Sequence, residues 1–446
     1  MNDRERFYLE RDRRTVQYGI DPVVLERRIA VVVGDDAAAS RPGQAGALAL
    51  VNMLARIHRA ITIVIPPVPL LAQTLLPGGN LRDAAVRAAT AINPFIDLRV
   101  SERASGDSLA VGLGRLVPRS LDLYVGAEGA KAIIAAEPVA ISALDPTVLG
   151  AGLGVCLAAA DLLHLAASGA TSVARQVSLW GFAEGPNAGR RPDVLPRLDL
   201  GHVVVVGGGA VGSCLLYWVR EIGAAGTWEV VDGDAVELHN TNRSLGLVAQ
   251  DAGWPDGQPS NKADCAARLT GAAPHPYWYD EWLQRHPTAR PDLVIPLAND
   301  HGVRHAIGQR GEAVLVSATT SPHETAALHR QIPGRDDCMD CRFPEENTPR
   351  FSCSTSSIES SKQESADAAL PYLSASAGLL LAAGLLQLQG GQLAGLCANQ
   401  WTLWVATRNR SWQPSVRQCR ASCRSALPPE AVRQLNAKSR WRSLLP

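Results

Sequence analysis

Neither sign of charge is in excess in this 446-residue sequence: Lys and Arg number 43, and so do Asp and Glu. That balance gives no global field to draw the chain to nucleic acid or to an anionic membrane, so neither is expected as a partner. An apolar leader is also missing, since the opening MNDRERFYLERDRR is charged where a secretory signal would be apolar. Nor is there a clean membrane span. The two most apolar stretches, 148–167 and 370–388, are interrupted by Asp161 and His164 in the first and by serines and glycines in the second. Both read as core helices. Nine cysteines, an odd number without a secretion signal, point to a reducing cytoplasm and to metal-binding or catalytic thiols. The remaining composition, 46% hydrophobic and 19% charged, is that of a soluble globular protein with room for two or three domains.

The most informative stretch is 201–262. Residues 202–206 form a valine-rich apolar run too short for a helix, which reads as a buried strand. It leads into Gly207-Gly208-Gly209-Ala210-Val211-Gly212, an apolar-periodic helix and a second strand ending at Asp232. Strand, glycine loop, helix, strand and acidic residue make up a nucleotide-binding βαβ unit. In such a unit Gly207, Gly209 and Gly212 let backbone approach a phosphate at a helix N-terminus, and Asp232 accepts from ribose hydroxyls. The loop alone suits NAD or FAD oxidoreductases equally well. Asn240, Arg243 and Lys262 follow. Cations at the phosphates suit cleavage of an α–β phosphate bond, where charge grows on pyrophosphate; as surface residues they would signify nothing. A third strand at 292–295 ends near Asn299 and Asp300, at the same sheet edge. A carboxylate there suits magnesium or a helix cap.

The first half repeats this order with different chemistry. Residues 28–33 form another valine strand, followed by a loop, an apolar helix and a strand at 60–65. The loop GDDAAASRPGQAG sets two aspartates where phosphate would sit, and Pro66-Pro67 replaces the acidic strand end. Two halves with parallel organisation read as a duplication or as two unrelated Rossmann-like domains. The polar, Pro/Gly-rich segment 183–197 is the expected linker, dividing the chain into 1–185, with a basic helical arm over 1–25, and 190–446.

Six of the nine cysteines lie beyond residue 337. Cys338 and Cys341 form CxxC, and Cys419 and Cys423 form CxxxC; two close pairs suit a tetrahedral zinc. A redox CxxC would normally open a helix, for which Arg342-Phe343-Pro344 is a poor start. Cys353, in polar sequence three residues after Arg350, reads as a nucleophile or a small core residue. Cys156, Cys214, Cys265 and Cys397 are expected in the core.

GGGAVGS at 207–213, VDGDAVELHNTNR at 231–243, Lys262, CMDCRFPEE at 338–346, Cys353 and the late cysteine pair together resemble the ThiF/MoeB and ubiquitin-activating enzyme superfamily. The resemblance is closest to bacterial enzymes with an inactive and an active adenylation half. It implies an α/β fold of two doubly wound, Rossmann-like domains packed as a pseudo-dimer, with a zinc-stapled C-terminal region. It further implies that ATP and magnesium are used to adenylate the C-terminal carboxylate, after a glycine, of a ubiquitin-like protein. It gives Asp232 to ribose, Asn240, Arg243 and Lys262 to the phosphates and Asp300 to magnesium, and makes Cys353 the thiol that takes the chain as a thioester for a conjugating enzyme. Arg14, on the N-terminal arm, is the candidate that reaches ATP from the other half. Further self-association is compatible with this reading. A sulfur-carrier adenylyltransferase without conjugation is the nearest alternative. The departures from the family pattern are Ala298-Asn299-Asp300 in place of Thr-Asp-Asn, about six extra residues around GWPDGQP, and CxxxC in the late pair.

Overall fold

The computed structural model describes residues 1–17, 19–76, 78–143, 146–169, 173–189, 197–345, 370–406 and 410–446. Each half builds one eight-stranded sheet. The first half supplies β1 (Arg28–Val33), β2 (Ala60–Val64), β3 (Asp97–Val100), β4 (Leu109–Leu113), β5 (Leu123–Glu128), β6 (Lys131–Ala135), β7 (Arg175–Ser178) and β8 (Ala183–Glu184). The second supplies β9 (Leu198–Val206), β10 (Ala224–Val231), β11 (Ala273–His275), β12 (Leu293–Pro296), β13 (Leu315–Ser321), β14 (Thr325–Gln331), β15 (Gln400–Trp404) and β16 (Trp412–Ser415). The spatial orders are β3-β2-β1-β4-β5-β6-β7-β8 and β11-β10-β9-β12-β13-β14-β15-β16. In each sheet the first five positions run parallel and the last three strands are added antiparallel. One strand order used twice favours duplication over two unrelated domains.

Burial explains the valine runs. β1 and β9 are the central strands, covered on both faces, so they carry no polar alternation. β9 begins before the valines because Leu198 and Asp199 pair with Ala224 and Ala225 across a register shift at Gly226. The segment expected to be a linker is partly ordered sheet, since Ala183–Glu184 pairs with β7; residues 190–196 lie outside the described residues.

Two helices, Leu149–Ser168 and Pro371–Gln389, are long and apolar enough to cross a membrane, and both are buried inside the fold. They form the seam between the halves with Arg41–Ile57 and Ala210–Ile222. Small residues permit this close approach. A Cβ on Gly378 would lie 2.6 Å from the Cys214 backbone, and one on Gly152 would lie 2.9 Å from the Trp218 ring. Cys156, Cys214 and Cys265 are buried, as expected; Cys397 is exposed, in the loop after the short helix Gln392–Gly395. Placing it in the core was wrong, because the apolar helix ends eight residues earlier, at Gln389.

The basic arm folds as three short helices, Asp3–Arg11, Arg13–Gln17 and Pro22–Leu25. Its anchor is aromatic. Phe7, wholly buried, meets Trp254 at 5.2 Å and Phe95 at 5.5 Å between ring centroids, and the Arg6 guanidinium lies 4.6 Å over the Trp254 ring. The extra GWPDGQP residues of the second half therefore form the dock for the first half's arm.

Candidate functional site

The glycine loop closes the C-terminal end of β9. Gly207 has φ +109°, and a Cβ there would lie 2.7 Å from the Ala298 nitrogen, so only glycine fits. A Cβ on Gly212 would lie 2.0 Å from the Gly207 carbonyl oxygen, the close helix–strand packing such loops need. Gly209 differs from both: a Cβ there would meet nothing within 4 Å, so its backbone faces open space at the N-terminus of Ala210–Ile222.

A chain of polar contacts ties this loop to Lys262. Asp232 accepts from the Gly208 N–H at 2.7 Å and from the Asp234 N–H at 2.9 Å. Asp234 in turn holds the Lys262 ammonium at 2.7 Å, and its carbonyl accepts from the Lys262 N–H at 2.9 Å. Burial pushes the Asp232 carboxyl upward, a shift that the Lys262 charge opposes. Each Asp232 oxygen keeps a lone pair for a ligand hydroxyl.

The segment 238–243 brings both halves together at this edge. Asn240 is buried and its side-chain oxygen accepts from the Glu237 N–H at 2.9 Å, which leaves the carboxamide nitrogen to offer a ligand. Arg243 is braced by the His239 carbonyl at 2.8 Å and the Asn242 side chain at 3.2 Å. From the arm, Arg13 donates to His239 Nδ1 at 3.1 Å, and Thr15 Oγ1 accepts from Asn242 at 3.0 Å. Burial, together with Arg243, Arg13, Arg14 and Lys262, holds the His239 imidazole down to about 3, so it is neutral at physiological pH. Arg13 and Arg243, one from each half, thus meet at His239, and the charges of Arg14 and Lys262 reach it as well. Sequence reasoning singled out Arg14; the structure adds its neighbour Arg13, in the same RDRR run.

Asp300 accepts from the Val303 N–H at 2.8 Å and caps the helix His301–Gln309, leaving its second oxygen exposed. The Asn299 side-chain oxygen is taken by Arg304 at 3.1 Å. Of the two neighbours, Asp300 is thus the one with a carboxylate oxygen available for magnesium. Beyond β11, Trp278 is 53% exposed and its ring lies over Gly233, where a Cβ would meet it at 2.7 Å. No local signal in the sequence marks that indole, because its position depends on the register of β10 against β11.

The corresponding loop of the first half carries an acid bonded to backbone. Asp36, in the helical turn Asp35–Ala38 after β1, accepts from the N–H groups of Arg115 at 2.7 Å and Leu116 at 3.0 Å.

Cys338, Cys341, Cys419 and Cys423 have sulfur atoms within 4.8 Å of one another, and the sulfurs of Cys338 and Cys423 are 3.6 Å apart. That spacing fits a tetrahedron of Zn–S bonds of about 2.3 Å. The Cys338 N–H points at Cys419 Sγ (3.2 Å) and the Arg420 N–H at Cys341 Sγ (3.5 Å). The CxxC opens a single helical turn, Met339–Arg342, and the second pair faces it. The four residues fit zinc, which would staple the C-terminal tail to this loop. Strong chelation, or Cys338→Ser, is expected to release one zinc per chain and lower the melting midpoint, read by metal analysis and thermal denaturation. Cys353 lies outside the described residues.

A model of the ThiF family matches residues 175–424. The chain is 32% identical over 328 residues to the uncharacterized protein y4jF of Sinorhizobium fredii (strain NBRC 101917 / NGR234), a match covering 72% of this chain and 61% of that protein, so less than two thirds of the relative's length. Among solved structures, it is similar to E. coli MccB with MccA-N7isoASN at 14% identity, TM-score 0.39, over 69% of this chain and 98% of that one. PaaA matches at 15% identity, TM-score 0.35, over 49% and 73%.

Proposed function

Given that this chain belongs to the ThiF family, we propose that it adenylates the C-terminal carboxylate of a polypeptide with ATP, residues 190–446 doing the chemistry and residues 1–185 serving as an inactive adenylation half. The observation that carries this reading is that Arg13 of the first half and Arg243 of the second both meet His239, beside an open glycine loop to which Lys262 is tied through Asp234 and Asp232. A dinucleotide oxidoreductase has no use for such a set.

ATP lies with its phosphates at Gly207–Gly212 and its ribose at Asp232. Lys262 leaves Asp234 for the phosphates. Asn240 donates from its carboxamide, and Arg243 and the arm's Arg13 and Arg14 face the charge that develops. Asp300 would hold magnesium, which neutralises the phosphate oxygens. The substrate carboxylate attacks the α-phosphorus, the bond from that phosphorus to the bridging oxygen breaks, and pyrophosphate departs with the electron pair. Adenine, beyond the ribose, meets the Trp278 indole. Base–aromatic stacking of about 1–3 kcal/mol predicts that Trp278→Ala raises the Kd for ATP roughly tenfold while binding of inorganic tripolyphosphate is unchanged.

The finer proposal is that the substrate is a ubiquitin-like protein ending in glycine, and that the Cys353 thiolate attacks the acyl adenylate. AMP leaves, and a conjugating enzyme receives the thioester. Loss of a thiol-sensitive adduct in Cys353→Ala, with adenylation retained, supports this; an unchanged adduct removes Cys353 from the role, and no adduct in the parent chain leaves the sulfur-carrier type of adenylation. The nucleotide assignment is tested by calorimetry with ATP–magnesium and with NAD. Binding of ATP alone is expected, and binding of NAD alone overturns it.

A further inference from the structure

Outside the nucleotide crevice the molecule has a second cavity, of about 410 Å³, between the four-cysteine cluster and the end of β12. Its lining includes Arg304, Arg342, Arg417 and Arg420, and no acidic residue among those described. Two of the arginines are fixed. Arg342 is paired with Asp337, 2.8 Å for the Nε contact, and also bonds His329 and the Asn399 carbonyl. Arg304 is buried and spends its hydrogen bonds on neutral oxygens, those of Ala298 (3.0 Å) and Asn299 (3.1 Å), while lying 4.3 Å over the Phe343 ring. Arg417 is exposed, held through its backbone to the Asn399 side chain, and its guanidinium bonds to none of the described residues. Of these arginines, Arg342 is neutralised by Asp337, whereas neither Arg304 nor Arg417 forms an ion pair with a described carboxylate.

Its remaining walls are apolar: Phe343, Pro344 and Val416, the last 61% exposed. A bare phosphate has no use for such walls, whereas a polypeptide with a carboxylate beside an aliphatic side chain matches both features. The position adds direction. Arg304 is bonded to the Ala298 carbonyl, and the Ala298 nitrogen is the atom that bars a side chain from Gly207. One residue, Ala298, thus contacts both a cavity arginine and the glycine loop.

We propose that this cavity docks an acidic segment of the polypeptide substrate, lying upstream of the C-terminal carboxylate that reaches the nucleotide. The inference rests on the adenylation reading for the identity of its ligand, and its test is kept separate by omitting ATP. The probe is a fluorescein-labelled octapeptide with two glutamates flanking a leucine and a Gly-Gly carboxyl end, compared by anisotropy with the same peptide carrying lysines. At low salt the full chain should bind the acidic peptide at least tenfold more tightly. Arg417→Glu and, independently, Val416→Asp should remove that preference, both being substitutions at exposed positions. Lys262→Ala should retain it. Equal binding of the two peptides, or an unchanged preference in both variants, overturns the proposal. So does displacement of the acidic peptide by submillimolar inorganic phosphate, which would assign the cavity to phosphate. Loss of ATP binding by the parent chain with peptide preference intact would count against the adenylation reading alone.

Discussion

Arg243→Ala is expected to lower the rate of ATP–pyrophosphate exchange by about two to three orders of magnitude, the usual loss when one preorganised charge is removed from a developing anion. The guanidinium is braced by the His239 carbonyl and the Asn242 side chain, so it is oriented before a ligand arrives. Removing it should act more on the rate than on nucleotide affinity, since Lys262 and the glycine loop still hold ATP. Arg243→Lys should recover little, because an ammonium cannot keep both braces and still reach the phosphate. Steady-state exchange with varied ATP separates the two effects. A KM change alone would reassign Arg243 to ground-state binding.

The second large effect is expected at Arg56, far from any reacting atom. This arginine belongs to the first half and is fully buried. It donates to the carbonyls of Thr241, Leu245 (3.0 Å) and Leu247 (2.8 Å), all in the second half, and to the Asn52 side chain at 2.8 Å. Asn52 adds its own bond to the Leu245 carbonyl at 3.1 Å. One guanidinium thus fixes the segment that carries Asn240 and Arg243. Burial lowers its pKa to about 9, still high enough to keep the charge at neutral pH. Arg56→Met leaves three buried carbonyls without that donor, at about 1–3 kcal/mol each. A stability loss of roughly 3 kcal/mol or more is expected in urea denaturation. Exchange should fall at temperatures where the variant remains folded, with kcat affected more than the KM for ATP. Asn52→Ala, which removes two of these bonds but leaves the guanidinium in place, should show a smaller loss. Unchanged exchange in folded Arg56→Met would reduce the first half to a passive scaffold.

Legibility in the sequence followed distance along the chain. The valine runs of β1 and β9, the glycine loop and Asp232 are local patterns, and each falls at its expected place in the two sheets. Of the two aspartates in the first half's loop, Asp36 accepts from the N–H groups of Arg115 and Leu116, about 80 residues on, a pairing that no local pattern marks. The cysteine pairs, far apart in sequence, could be joined on ligand spacing alone. By contrast, Arg56 finds its acceptors about 190 residues away, and Arg13 meets His239 across 226 positions. Those pairings depend on how the halves pack. The GWPDGQP insertion, a departure from the family pattern, gains a role only once Trp254 is seen against Phe7. Likewise the Trp278 indole and the arginine-lined cavity arise from strand register and from the folding back of the tail, neither of which leaves a local signature.

The central claim is that ATP is split at the α-phosphate only for a polypeptide carboxylate. The direct measurement is incorporation of labelled pyrophosphate into ATP by the full chain, with and without a ubiquitin-like protein ending in glycine. The account predicts exchange that needs that protein with a free C-terminal carboxylate and that is lost when the carboxylate is amidated. Exchange that proceeds equally without the protein, or with its amidated form, would contradict it.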